Sequence, residues 1–214
     1  MARRNAGVPP LAADTIATMH FRSFDIPGLL EITPLRHGDE RGWFAEIFRL
    51  EALCERAGEI TFVHENDSLS ARVGTIRGLH FQTEPFAQGK LVRCTAGAVF
   101  DVAVDLRSGS PTFGQWAAVD LSPERGTLFW IPAGFAHGFC TPEPNSVLNY
   151  KVTAYYSAPH DKGLAWDDAD LAIAWPELAD PATLSPKDRV QPRLADLPPL
   201  FAMSALTGKQ PTCA

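Results

Sequence analysis

The stretch Gly97-Ala98-Val99-Phe100-Asp101-Val102-Ala103-Val104-Asp105-Leu106-Arg107 decides how the chain is read. Within Ala98–Leu106, the apolar residues Phe100, Val102, Val104 and Leu106 alternate with a second face carrying Asp101 and Asp105. A period of two predicts a half-buried strand, apolar face to the core and acidic face to water. After the breakers Ser108-Gly109-Ser110-Pro111, the residues Phe113, Ala117, Val119 and Leu121 continue the pattern on one face, with Gln115 as the exception. Thr127–Ile131 and Val147–Tyr155 read as two more strands. Short strands at this spacing predict an all-β sandwich or barrel rather than alternating βα units. One helix is legible at Phe48–Ala57. Leu50, Leu53, Cys54 and Ala57 fall at helical spacing there, and Gly58 supplies the stop.

The chain of 214 residues suits a single domain. Its 16 Gly and 18 Pro fit many turns between short strands. A net charge of -6 argues against nucleic acid as a partner, so any anion site needs its own local cations. No run is long and apolar enough for a membrane span, and the start lacks the apolar core of a signal peptide. We divide the chain into a loose arm (1–19), one domain (20–197) and a Pro-rich, poorly ordered tail (198–214). Cys54, Cys94, Cys140 and Cys213 show no CxxC spacing. They read as three core residues and one tail thiol in a reducing cytoplasm.

The residues able to carry chemistry cluster in Gly74–Arg93, which holds Arg77, His80, Lys90 and Arg93. Alternation would set Arg77 and Leu79 against Gly78 and His80. Lys90 follows a turn containing Pro85 and Gly89, which could return it beside His80. A histidine near cations stays neutral and suits a base. Taken singly, each of these residues reads as a core histidine or a solvated cation. The segment Trp130–Phe139 delivers His137 from a Gly/Pro turn onto a strand, and reads equally well as a hydrophobic hairpin. Tyr150 on its strand and Asp188 in its loop have bland readings too. With no His-x-His pair and no CxxC, spacing gives no support for a metal site at His64, His80 and His137.

In order along the chain stand DERGWFAE, FVHENDSLS, RGLHFQ, QGKLVR, GAVFDVAVDLR, SPTFGQW, WIPAGFAHGF, NYKVTAYY and LSPKD. Together they resemble the nucleotide-sugar 3,5-epimerases over about Phe21 to Asp196. The resemblance implies a double-stranded β-helix, a cupin-like jelly roll with a few short helices, metal-free and homodimeric. It implies epimerisation at C3 and C5 of a dTDP-linked 4-keto-6-deoxy sugar, with no redox cofactor. By the same resemblance His80 is the base, Asp188 its orienting carboxylate, Tyr150 the acid, and Lys90 the cation at the keto oxygen. Arg77 matches the sugar-facing part of the site. Arg41, Glu46, His64, Glu65 and Asn66 match positions that hold the nucleotide, and His137, Asp161 and Lys187 further substrate contacts. Three positions depart from the pattern: His64-Glu65 stands where Gln-Asp is common, and Asp161 where Glu is frequent. The alternatives are a single-carbon epimerase, action on another 4-keto nucleotide sugar, a non-catalytic binding jelly roll, and an iron-dependent cupin dioxygenase.

Overall fold

The computed structural model describes residues 18–202. In chain order the first strands are β1 (Met19–Ser23), β2 (Leu30–Pro34), β3 (His37–Asp39) and β4 (Gly42–Phe44), followed by helix α1 (Leu50–Ala57). Next come β5 (His64–Ser70), β6 (Thr75–Gln82), β7 (Lys90–Ala96), β8 (Val99–Asp105) and β9 (Arg107–Ser108). The remainder are β10 (Trp116–Leu121), β11 (Leu128–Ile131), β12 (Phe135–Thr141), β13 (Ser146–Val152), β14 (Asp161–Gly163) and β15 (Phe201–Ala202). Three single-turn 3-10 helices, Pro181–Thr183, Asp188–Val190 and Leu194–Asp196, punctuate the C-terminal segment.

Two antiparallel sheets form the body. The larger has six strands in the order β1-β2-β11-β7-β13-β5, the smaller five in the order β10-β8-β12-β6-β14. Neighbours far apart in sequence make each sheet a set of crossovers, the jelly-roll wiring. Between the sheets, Val92, Phe129, Ile131 and Leu148 of the larger sheet meet Val99, Ala103, Leu121 and Phe135 of the smaller. Burying such side chains contributes about 2 kcal/mol each. Helix α1 covers the outer face of the larger sheet with Leu53 and Cys54. It begins at Leu50, two residues after the expected start, and ends as expected where the Gly58 N–H donates to the Cys54 carbonyl at φ 84°.

The strand that opened the sequence reading behaves differently from a half-buried one. Val102, Val104 and Leu106 do pack into a core, but an outer one, made with Leu164, Leu171 and Phe201 of the C-terminal segment. Val99 and Ala103, which share the acidic face, point between the sheets. Asp101 and Asp105 are therefore wholly buried. The carboxylates are tolerated because each is partnered. Asp101 meets His137. Asp105 accepts from Arg107 at 2.7 Å and from the Ser110 and Thr112 hydroxyls at 2.7 Å each.

Other expectations shift at the edges. Phe113 is 48% exposed, and the strand expected to hold it starts only at Trp116. The strand expected over Val147–Tyr155 leaves the sheet after Val152, freeing Tyr155 and Tyr156 to stand exposed. Met19, placed in the arm, opens β1 and is buried. Phe201–Ala202, placed in the tail, pair in parallel with β9, and Phe201 is buried against Phe81. The rest of the arm and tail, with Cys213, lies outside the described residues. Cys54, Cys94 and Cys140 are buried free thiols.

Candidate active site

A bulge sets the phase of the site. His137 on β12 faces His80 on β6, and Phe139 faces Arg77, so β6 carries one residue more than its partner. The extra residue is accommodated at Gly78, whose φ is 118° and whose missing Cβ would stand 2.5 Å from the Gly138 Cα. Simple alternation would place Arg77 with Leu79. Instead the bulge puts Arg77 and His80 on the cavity side, while Leu79 is fully buried in the outer core.

The cavity has a volume of about 460 Å³ and opens between the two sheets. β6 contributes Arg77 and His80, β7 contributes Lys90, β12 contributes His137, and β13 contributes Tyr150 from the facing sheet. The C-terminal loop brings in Lys187 and Asp188, and β14 brings Asp161. His80 Nε2 and Asp188 Oδ1 are 2.5 Å apart. The His80 side chain is 34% exposed and that of Asp188 only 4%, so the imidazole can reach a ligand while its carboxylate is shielded. Burial pushes the Asp188 carboxyl up. The hydrogen bond and charge of His80, with help from Ser185 and Lys187, outweigh that and hold it below its ordinary value.

Lys90 lies beside His137, Nζ to Nδ1 3.5 Å. Burial lowers the Lys90 pKa to about 8 despite the opposing charges of Asp101 and Asp161. Burial also lowers the pKa of His137, which bonds Asp101. Tyr150 is raised by burial, against the pull of Arg77, and so keeps its proton near neutrality. Asp161 accepts from Lys187 and from the Tyr156 hydroxyl, the latter at 3.2 Å. Arg77, Lys90 and Lys187 thus give an acidic protein a cationic cavity.

The geometry brings together His80, Asp188, Tyr150, Lys90, Arg77, His137, Asp161 and Lys187. The remaining sequence candidates stand off this cavity. Arg41 lies on the β3–β4 hairpin and pairs with Asp39 at 2.5 Å, and Glu46 pairs with Arg49 at 2.9 Å. Glu65 pairs with Lys151 at 2.7 Å and borders a separate groove with Arg93 and Phe48. The His64 ring stacks on Tyr155 with centroids 5.6 Å apart, and Asn66 is half-buried opposite Tyr150 in the β5–β13 ladder. Sequence reading missed Asp101, Ser185 and Tyr156. Only the two acids interrupting an otherwise apolar run could have flagged the first. Among the described residues, no group of three or more His, Cys, Asp or Glu is placed to hold a metal ion. No described helix is long and apolar enough to cross a membrane.

The family model for dTDP-4-dehydrorhamnose 3,5-epimerase matches residues 23–196. The chain belongs to this family. A dTDP-4-dehydrorhamnose 3,5-epimerase from Sinorhizobium fredii is 54% identical over 183 residues, covering 86% of this chain and 93% of the relative. The structure of the dTDP-6-deoxy-D-glucose-3,5-epimerase of Legionella pneumophila, in complex with dTDP-4-keto-L-rhamnose, is 43% identical with a TM-score of 0.79. It covers 86% of this chain and 98% of its own. A 3′-monoepimerase from Streptomyces bikiniensis in complex with dTDP-quinovose is 34% identical with a TM-score of 0.75. That match covers 80% of this chain and 86% of the neighbour. The chain is thus an epimerase with the cupin-like jelly roll of the dTDP-4-dehydrorhamnose 3,5-epimerases.

Proposed function

We propose that the chain converts dTDP-4-dehydro-6-deoxy-D-glucose to dTDP-4-dehydro-L-rhamnose by inverting C3 and C5. The observation that carries this reading is the His80–Asp188 pair at 2.5 Å, open to a cavity into which Tyr150 projects from the facing sheet. The 4-keto group acidifies the protons on both neighbouring carbons. His80 gives one N–H to Asp188 and takes the carbon-bound proton on its other ring nitrogen, so the C–H electron pair moves into an enolate. The Lys90 ammonium faces the negative charge growing on the keto oxygen. Tyr150 then gives its hydroxyl proton to the opposite face of the carbon, and solvent resets both groups. The steps at C3 and C5 are the same chemistry.

Arg77 faces the sugar in this reading, and Lys187 adds a second cation to the substrate contacts. His137 and Asp161 complete the substrate contacts. Arg41, Glu46, His64, Glu65 and Asn66 hold the nucleotide in this reading, and a homodimer is the working assembly. Three buried free thiols fit a reducing cytoplasm. Proton NMR of the keto sugar in D2O with the purified protein tests the reaction. Deuterium at both C3 and C5 supports it. Exchange at C3 alone supports the second reading, a single-carbon epimerase, which the likeness to the 3′-monoepimerase favours.

A further inference from the structure

Lys90, His137 and Asp101 form a chain from the cavity into the interior of the sandwich. Lys90 Nζ is 3.5 Å from His137 Nδ1, and His137 Nε2 is 3.0 Å from both Asp101 oxygens. Asp101 lies on β8, an interior strand of the smaller sheet, opposite Phe139 on one side and Val119 on the other. Its side chain has no exposure and that of His137 only 8%. Among the described residues the Asp101 carboxylate bonds to His137 alone. A buried carboxylate with one imidazole partner is a costly way to hold a sheet together, and a hydrocarbon of similar size would serve the packing better.

We propose that Asp101, acting through His137, is a positioning residue that keeps the Lys90 side chain charged and aimed into the cavity. The inference rests on the reading of Lys90 as the cation at the keto oxygen. A carboxylate only accepts, so Asp101 fixes the His137 proton on Nε2 and leaves the Nδ1 lone pair for a Lys90 N–H. That bond orients the ammonium and leaves its other protons for the ligand.

The charges around Lys90 make Asp101 decisive. Burial disfavours the ammonium, Asp101 is the largest opposing influence, Asp161 supports it, and Lys187 works against it. His137 feels burial first, then Asp101 raising its pKa, with Lys90 and His80 lowering it. Arg77, Tyr150, Tyr156 and the His80–Asp188 pair face the same cavity. Lys90 is left titrating at about 8. Removing one carboxylate therefore empties the ammonium inside the working pH range.

The test compares the unaltered chain with Asp101→Asn, following the Lys90 side chain by carbon-13 NMR and the ring nitrogens of His137 by nitrogen-15 NMR. In the unaltered chain we expect His137 to carry its proton on Nε2 and Lys90 to titrate well below an ordinary lysine. In Asp101→Asn the Lys90 midpoint should move to lower pH by about one unit or more. The alkaline limb of kcat should move down with it, while KM changes little. A His137 proton on Nδ1 in the unaltered chain overturns the proposal even if the variant does not fold. An unmoved midpoint in a folded Asp101→Asn overturns it too. If the unaltered chain introduces no deuterium into the sugar, the proposed reaction fails, yet the two titrations still decide this inference.

Discussion

His80 and Asp188 are separated by 108 residues and meet at 2.5 Å. At the residue scale the proposed reaction rests on that pair. Asp188→Asn keeps the shape but removes the charge that balances an imidazolium. The expected result is a fall in kcat of about 10²- to 10⁴-fold, measured as the initial rate of inversion by NMR. Near-normal turnover would remove Asp188 from the mechanism. His80→Ala should stop deuterium entry at both carbons while calorimetry still shows dTDP binding. Deuterium entering at the normal rate would rule out His80 as the base. Tyr150→Phe separates the two half-reactions: proton removal should survive better than inversion, so exchange into recovered substrate outlasts product formation. Equal losses of both would argue that the tyrosine is not a separate acid.

At the element scale, the bulge in β6 does what alternation could not. A strand of perfect period would bury His80 or Arg77 on the wrong side. The extra residue at Gly78 turns both toward the cavity, and Gly138 permits the approach from β12, with a Cβ there 2.9 Å from the Arg77 carbonyl. Gly78→Ala should therefore cost about 3 kcal/mol or more, read as a lower urea midpoint with an unchanged slope. A stability within error of the parent would show that the strand can relax around a methyl group. The C-terminal segment is the other decisive element. It covers the outer face of the smaller sheet with Leu164, Leu171 and Phe201 and delivers Asp188 to the cavity. Helix α1 and the β3–β4 hairpin are peripheral to the cavity by comparison.

At the scale of the whole molecule, buried carboxylates set the response to acid. For Asp105, burial raises the carboxyl, but Arg107, Ser110 and Thr112 together hold it below its ordinary value. Asp188 is lowered in the same sense. A carboxyl lowered by folding adds stability that is fully present above its unfolded pKa. That stability is lost as the pH falls through the folded one. The urea midpoint should therefore begin to fall as the pH drops below about 6.5, where an unfolded histidine takes up the proton that buried His137 resists, and drop further below about 4, where unfolded aspartates take up protons. Asp105→Asn should be less stable at neutrality and lose less on acidification. An acid response identical to the parent's would place the sensitivity elsewhere.

The sequence by itself determined the strand-rich class, helix α1 with its Gly58 stop, and the charged and histidine residues around the cavity. Those features are local: a period of two, a helical spacing and long ordered motifs survive without knowledge of the neighbours. Tertiary structure alone decided which face of Ala98–Leu106 looks inward. The even-numbered apolar residues are covered by a segment more than fifty residues away, and Asp101 turns out to meet His137 inside the sandwich instead of water. It also decided the phase of Arg77 against His80, because a bulge is a property of two paired strands and not of one. Burial by distant chain and register between strands are long-range quantities, and periodicity carries no record of either.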